Sequence, residues 1–146
     1  MKNEPIPGDS LNKTRISGLN FSDKRPVRDE EIIIAGYLHS YNQKEKKWDP
    51  IEKANVEIYI DRQRAGDVKT DHTGYFSFEN AFKTLGEHTV EVKYGGSRNF
   101  AQTGASSSLS VITEKQRRNV ERIIKIVLAA IGLIIVVAIL ALYLAS

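Results

Sequence analysis

The 146-residue sequence predicts an all-β, two-sheet sandwich of about seven short strands followed by a single transmembrane α-helix. Three observations lead there. The chain ends in an unbroken apolar run, Ile126 to Ala145, that contains no charged residue. What precedes the run is polar enough to bring the mean hydropathy of the whole to −0.32. Between residues 15 and 113, apolar and polar side chains alternate in short stretches punctuated by Gly, Pro, Asn and Asp, and no helical periodicity competes with them.

Residues 1–14 are polar, carry Pro5, Pro7 and Gly8, and are expected to form a disordered N-terminal tail. They contain no apolar h-region, so no cleavable secretory signal is expected there. A weak strand is predicted near Arg15 to Phe21, then Ile32–Leu38, Val56–Ile60, a second weak strand near Asp67 to Thr70, Tyr75–Phe78, His88–Tyr94 and Ser107–Val111. Turns are expected at Asp49-Pro50, Asp61 to Gly66, Asp71 to Gly74, Leu85-Gly86 and Gly95-Gly96.

Neighbouring residues on a strand point to opposite faces. That phase places Val56, Ile58, Ile60, Phe76, Phe78, Val90, Val92, Leu109 and Val111 inward, with Glu57, Glu91 and Lys93 outward. Ile32, Ile34 and Leu38 also face inward, and Gly36 marks a place where two backbones approach closely. Ile33, Ala35 and Tyr37 then fall on the outer side, with Tyr59 and Tyr75. Ile33, Tyr37, Tyr59 and Tyr75 are either ordinary sheet-surface groups or a patch for a protein partner.

The formal net charge is +3, yet residues 1–113 hold 16 Lys/Arg and 16 Asp/Glu and cancel. The excess lies in Lys115, Arg117, Arg118, Arg122 and Lys125 against Glu114 and Glu121. A basic excess confined to the edge of an apolar run points to a lipid bilayer rather than to nucleic acid. Thr113 and Gln116 have the spacing of a capping box, so the helix should start near Thr113. Residues 114–125 then form a basic juxtamembrane helix continuous with the transmembrane helix 126–145, whose 20 residues at ~1.5 Å each suffice for a ~30 Å hydrocarbon core. Positive charge on the N-terminal flank predicts a tail-anchored chain with a cytoplasmic domain. Ala138, Ala141 and Ala145 share one helix face, which is either plain lipid-facing surface or a contact for a weak homodimer.

A family resemblance attaches to specific residues. Leu85-Gly-Glu-His-Thr-Val-Glu-Val-Lys-Tyr-Gly-Gly-Ser-Arg-Asn-Phe100, with Ala105 to Val111, resembles the last two strands of prokaryotic Ig-like repeats, whose motif reads G-x-H-T-V-x-V-x-Y-x-G-x-x-x-F. Glu31 to Leu38, Ala54 to Ile60 and Thr70-Asp-x-x-Gly-Tyr-Phe-Ser-Phe78 are similar to the opening half of those domains and of carboxypeptidase-regulatory-like modules. The resemblance covers about residues 17 to 113 and implies that the domain at residues 15–113 is an Ig-like β-sandwich, in a family of mostly non-catalytic spacer and adhesive modules often found on cell surfaces. It brings no catalytic positions. This chain departs from the pattern in its single copy, its lack of a secretory signal and a Lys/Glu-rich loop, Asn42 to Trp48.

No other constellation carries chemistry. The chain has no cysteine, which excludes disulfides, thiol catalysis and cysteine-based zinc sites within it. His39, His72 and His88 have no matching carboxylate spacing and are expected in turns and on the surface. Asp61, Asp67 and Asp71 lack the order of a calcium loop, and Ser106 to Ser108 lack a paired base. The expected function is a non-catalytic, membrane-anchored interaction or structural adaptor without cofactor or metal. The alternative is an extracytoplasmic spacer or adhesin-type domain of a cell-envelope protein, a fragment of a longer chain. Asn12-Lys-Thr14 and Asn20-Phe-Ser22 would be glycosylation acceptors only in that second setting.

Overall fold

The computed structural model describes residues 11–145. Eight strands form two antiparallel sheets: β1 (Thr14–Phe21), β2 (Glu31–Asn42), β3 (Lys47–Pro50), β4 (Asn55–Ile60), β5 (Gln63–Lys69), β6 (Tyr75–Ala81), β7 (Gly86–Tyr94) and β8 (Thr103–Val111). One helix follows, α1 (Glu114–Ala145). The strands belong to one compact unit, Met1–Val111, and the helix to another, Ile112–Ser146.

The long strand β2 organises the first sheet. One of its edges pairs with β1, from Thr14↔Ser40 to Phe21↔Ile34. Because β1 covers that edge over residues 34–40, the other edge is left for two strands laid end to end: β6, against Glu31 to Tyr37, and β3, against His39 to Asn42. The second sheet has the order β5-β4-β7-β8. Strand β8 runs beside β1, and β5 beside β6, so the two sheets meet along both edges. Their inward residues build one buried cluster that contains Ile32, Ile34, Leu38, Val56, Ile58, Phe76, Val90, Val92, Leu109 and Val111. At about 1.5 to 3 kcal/mol for each fully buried large side chain, this cluster is the main force holding the sheets together. Ile60 and Phe78 pack at its margin, half-buried.

The expected strands are all present, and four differences have physical causes. An eighth strand, β3, occupies the end of the segment expected as a Lys/Glu-rich loop and a turn at Asp49-Pro50. Only residues 43–46 turn, held by the Asn42 side chain, which accepts from the Lys44 and Glu45 amides at 3.1 and 3.2 Å and donates to Asp49 at 3.0 Å. The turn expected over Asp61 to Gly66 contracts to Asp61-Arg62, whose φ values of 50° and 69° match a two-residue hairpin turn. Ala35 is buried at 4% exposure rather than outward and open, since a methyl between the large in-phase Ile33 and Tyr37 has little surface left. At Gly36 the nearest neighbour is a ring, since a Cβ there would lie 2.8 Å from Phe76 Cζ; the second backbone also comes close, with the Ser17 carbonyl oxygen at 3.4 Å.

Asn12 bridges Phe100 and β1 starts at Thr14, so pairing reaches into the stretch expected as tail; residues 1–10 of that tail lie outside the described residues. Thr14 is buried and its hydroxyl donates to the Ala101 carbonyl at 2.7 Å. The turn before β6 is an Asx turn in which the Asp71 carboxylate accepts from the Thr73 amide, the Thr73 hydroxyl and the Tyr75 amide. Gly74 completes it with φ of 78° and places its carbonyl where the Leu38 amide donates to it at 2.8 Å. Thr70 ties the β3–β4 connection to the end of β5, donating to the Ile51 carbonyl and accepting from the Ala54 amide.

The helix starts as its capping box requires. The Thr113 amide donates to Gln116 Oε1 at 2.8 Å, and the Gln116 amide donates back to Thr113 Oγ1 at 3.2 Å. From Glu114 the helix continues for 32 residues, so the basic segment and the apolar run are one element. None of its residues is buried, and its most apolar stretch has a mean hydropathy of 3.1, making it long and apolar enough to cross a membrane.

Candidate functional site

The outward row of β2 gathers aromatic residues on the outer face of the first sheet. Tyr37 is paired in register with Tyr75 of β6, and their rings stand 5.3 Å apart. On the other side Tyr37 stacks on His39 at 6.1 Å. One pair further along, Tyr41 lies opposite Trp48 of β3, with ring centroids 5.3 Å apart. Arg15 of β1 reaches across to place its guanidinium 4.0 Å from the Trp48 ring centre, a cation–π contact. Ile33 and Tyr37 are the open members of the row, at 41% and 40% exposure.

Of the four residues expected as one patch, the structure therefore brings Ile33, Tyr37 and Tyr75 onto one sheet and puts Tyr59 on the other. Tyr59 lies on β4, where its hydroxyl donates to Glu57 at 2.9 Å and Lys93 sits 4.5 Å above its ring. Arg15, His39, Tyr41 and Trp48 complete the row instead. Tyr41 was in phase with Tyr37 and could have been found by extending β2; Trp48 could not, because its strand had no visible alternation. His39 is held below its ordinary pKa by burial and by the Arg15 charge, and its Nδ1 is buried without a hydrogen-bond partner among the described residues.

The three histidines part company. His72 is an exposed turn residue, as expected. His88 is not on the surface: it is 8% exposed, beside the Phe82 ring at 5.0 Å. Its Nδ1 lies 2.6 Å from Asp61 Oδ2, and its Nε2 lies 2.8 Å from the Thr84 carbonyl and 3.2 Å from the Thr84 hydroxyl. Burial of the ring opposes the charged form, but the Thr84 carbonyl and the Asp61 carboxylate outweigh it and raise the pKa. Asp61 responds in the opposite sense: burial works against its charge, yet the Thr89 amide and His88 hold it below the usual carboxylate range.

A Thr–His–Asp sequence of contacts invites comparison with a nucleophilic triad, but its polarity is wrong. With Nε2 aimed at a backbone carbonyl, the imidazole has to donate there and cannot take a proton from the Thr84 hydroxyl. The other aspartates go elsewhere, Asp67 to Arg64 at 2.7 Å and Asp71 to its own turn, where the Thr73 hydroxyl holds it below its ordinary pKa. Ser106 to Ser108 are strand residues of β8, opposite Glu91, Val90 and Thr89. Among the described residues no three His, Asp or Glu side chains group closely enough to hold a metal ion.

On α1, Lys115, Arg118, Arg122 and Lys125 are exposed and Arg117 is half-buried. Ala138, Ala141 and Ala145 are exposed on one face of the apolar part.

Fold and site together define a small β domain with an aromatic sheet face, carried on a chain that ends in a long apolar helix. No family model matches the sequence. It is 33% identical over 122 residues to an uncharacterized protein of Archaeoglobus fulgidus, an alignment that covers 84% of this chain and 83% of the relative. The chain belongs to the same family as that archaeal protein.

Proposed function

We propose that the chain is a non-catalytic, membrane-anchored Ig-like module, a β-sandwich held at a bilayer by α1 that offers its aromatic sheet face to a protein partner. The observation that carries this reading is the helix: 32 residues without a buried side chain, with a stretch of mean hydropathy 3.1. In water each exposed Leu, Ile or Val would forgo about 1.5 to 3 kcal/mol of transfer free energy, and a bilayer supplies what the β domain does not. The Ig-like assignment is supported by the strand motifs quoted above and by their inward residues meeting in one cluster. The non-catalytic reading is supported by the use of Asp71 in a turn, of Asp61 and His88 in a hairpin clasp and of Asp67 in an ion pair with Arg64.

The basic flank favours a cytoplasmic domain. The test uses the full chain in cells. Alkaline carbonate should fail to extract it from membranes, and a cysteine replacing the exposed Ser97, in a chain with no other cysteine, should resist an impermeant thiol reagent until the cells are opened. Extraction would remove the anchor. Labelling on intact cells would replace the cytoplasmic adaptor with the extracytoplasmic spacer or adhesin.

A further inference from the structure

The basic residues before the apolar run are unevenly arranged around α1. At about 100° per residue, Lys115, Arg118, Arg122 and Lys125 fall within an arc of about 80°, and Arg117 lies about 80° beyond its edge. Glu114 and Glu121 occupy the strip between Arg117 and the arc, while Gln116, Val120 and Ile123 take the opposite side. All four residues of the arc are exposed, and among the described residues none of them forms an ion pair. Arg122 and Lys115 have no acidic residue three or four positions away on either side.

Depth matters as much as direction. At ~1.5 Å per residue, Arg122, Arg118 and Lys115 stand about 6, 12 and 17 Å along the axis from Ile126, and Lys125 adjoins it. The headgroup layer of one leaflet is about 6 Å thick, so Lys125 and Arg122 lie within it, and Arg118, about 6 Å outside it, meets it only when its side chain turns back toward the bilayer against the usual N-terminal lean. Lys115 remains within about one Debye length of its outer boundary. Successive members of the stripe are three or four residues apart, with Cβ atoms about 5 to 6 Å from each other, so two cations can close on one phosphate.

We propose that this stripe is a binding face for anionic lipid headgroups, with a phosphodiester seated among Arg118, Arg122 and Lys125 and Lys115 adding attraction from above. The proposal rests on α1 spanning a bilayer, and its test separates the two. The full chain, carrying Asn119→Cys labelled with a fluorophore, is reconstituted into phosphatidylcholine vesicles containing a minority of phosphatidylglycerol. A quencher is attached either to the anionic lipid or, at the same mole fraction, to the neutral one. The anionic quencher should act several times more strongly, and the preference should weaken in high salt. Arg118→Gln should lower the preference about fivefold, as expected for one cation near a charged surface. Arg117→Gln, which removes the same charge at nearly the same depth but outside the arc, should change it distinctly less than Arg118→Gln does. Equal quenching by the two lipids, or equal effects of the two substitutions, overturns the stripe. Release of the chain by alkaline carbonate overturns the anchor and the stripe together, whereas a retained chain without lipid preference overturns the stripe alone.

Discussion

His88 Nδ1 lies 2.6 Å from Asp61 Oδ2 across a sequence separation of 27 residues, and this contact closes one end of the second sheet. Asp61 is the first residue of the β4–β5 hairpin turn, and its backbone and side chain both meet β7: its amide donates to the Thr89 carbonyl and its carboxylate accepts from the Thr89 amide, each at 2.9 Å. The clasp fixes the tip of one hairpin against the start of the next strand and seals Phe82 beneath the imidazole.

Stability should therefore depend on pH in a defined sense. The folded state raises the pKa of His88 above 6.5, so its contribution is complete below about 6.5 and is lost as pH rises through the folded value. It lowers that of Asp61 below 3.8, so this contribution is complete above about 3.8 and is lost as pH falls through the folded value. The clasp should be strongest between those limits. Urea unfolding of the full chain in mild detergent, followed by Trp48 fluorescence, should show stability falling as pH rises beyond about 6.5. His88→Gln should remove that fall and cost about 1 to 3 kcal/mol on its acid side, because Asp61 and Thr84 lose a shared partner. An unchanged slope in the variant would assign the dependence to another group.

Gly74 should not tolerate a side chain. It combines a φ of 78° with a position where a Cβ would collide with the Leu38 carbonyl oxygen and lie 3.3 Å from Pro50 Cβ. The collision is with backbone in a central strand, which cannot move aside as a side-chain end can. Gly74→Ala should destabilise by about 2 to 4 kcal/mol, combining left-handed strain with overpacking. Gly95→Ala, which meets nothing within 4 Å, should stay within about 0.5 kcal/mol. Similar midpoints for the two variants would show that the turn can be rebuilt.

Core depth ranks three residues of two strands that are consecutive in the chain, β6 and β7. Phe76 is 1% exposed and lies over Gly36, so Phe76→Ala should cost about 3 to 5 kcal/mol. Phe78, half-buried at the core margin above Gly66, can be partly replaced by water, and Phe78→Ala should cost less, about 1 to 3 kcal/mol. Glu91 faces outward in a 3.1 Å ion pair with Lys93, and Glu91→Ala should stay within about 0.5 kcal/mol. Any other order in unfolding midpoints contradicts this packing.

Alternation made the strands legible wherever one face is buried and the other wet, as along Val56–Ile60 and His88–Tyr94. It failed at Lys47–Pro50, where a strand of four residues lies on an outer margin and buries none of them fully. Phase also says which residues point outward but not from which sheet. Tyr59 and Tyr37 read alike in sequence, and only the pairing of β4 with β7 and of β2 with β6 puts them apart. The clasp was invisible for a related reason: Asp61 and His88 become neighbours through strand order, and no local spacing announces that. The helix start, by contrast, rests on two residues three apart, and Thr113 and Gln116 form the bonds their spacing requires.

The small residues of α1 decide whether the helix also associates. Ala138, Ala141 and Ala145 follow one another at i, i+3 and i+7, within about 60° of a common direction, and all are exposed. Methyl groups in a row let a second helix approach closely, and contact over such a seam is the usual source of helix–helix attraction in lipid, where burial of apolar surface gives none. A leucine at the middle position would hold the helices apart. In a membrane two-hybrid or energy-transfer assay, Ala141→Leu should lower the dimer signal of the full chain severalfold, while Leu140→Ala, about 100° away, should leave it unchanged. Helix content by circular dichroism should be the same for both, which separates a lost contact from a lost helix. A wild-type signal no higher than that of Ala141→Leu would leave α1 as a lone anchor, surrounded by lipid on every face.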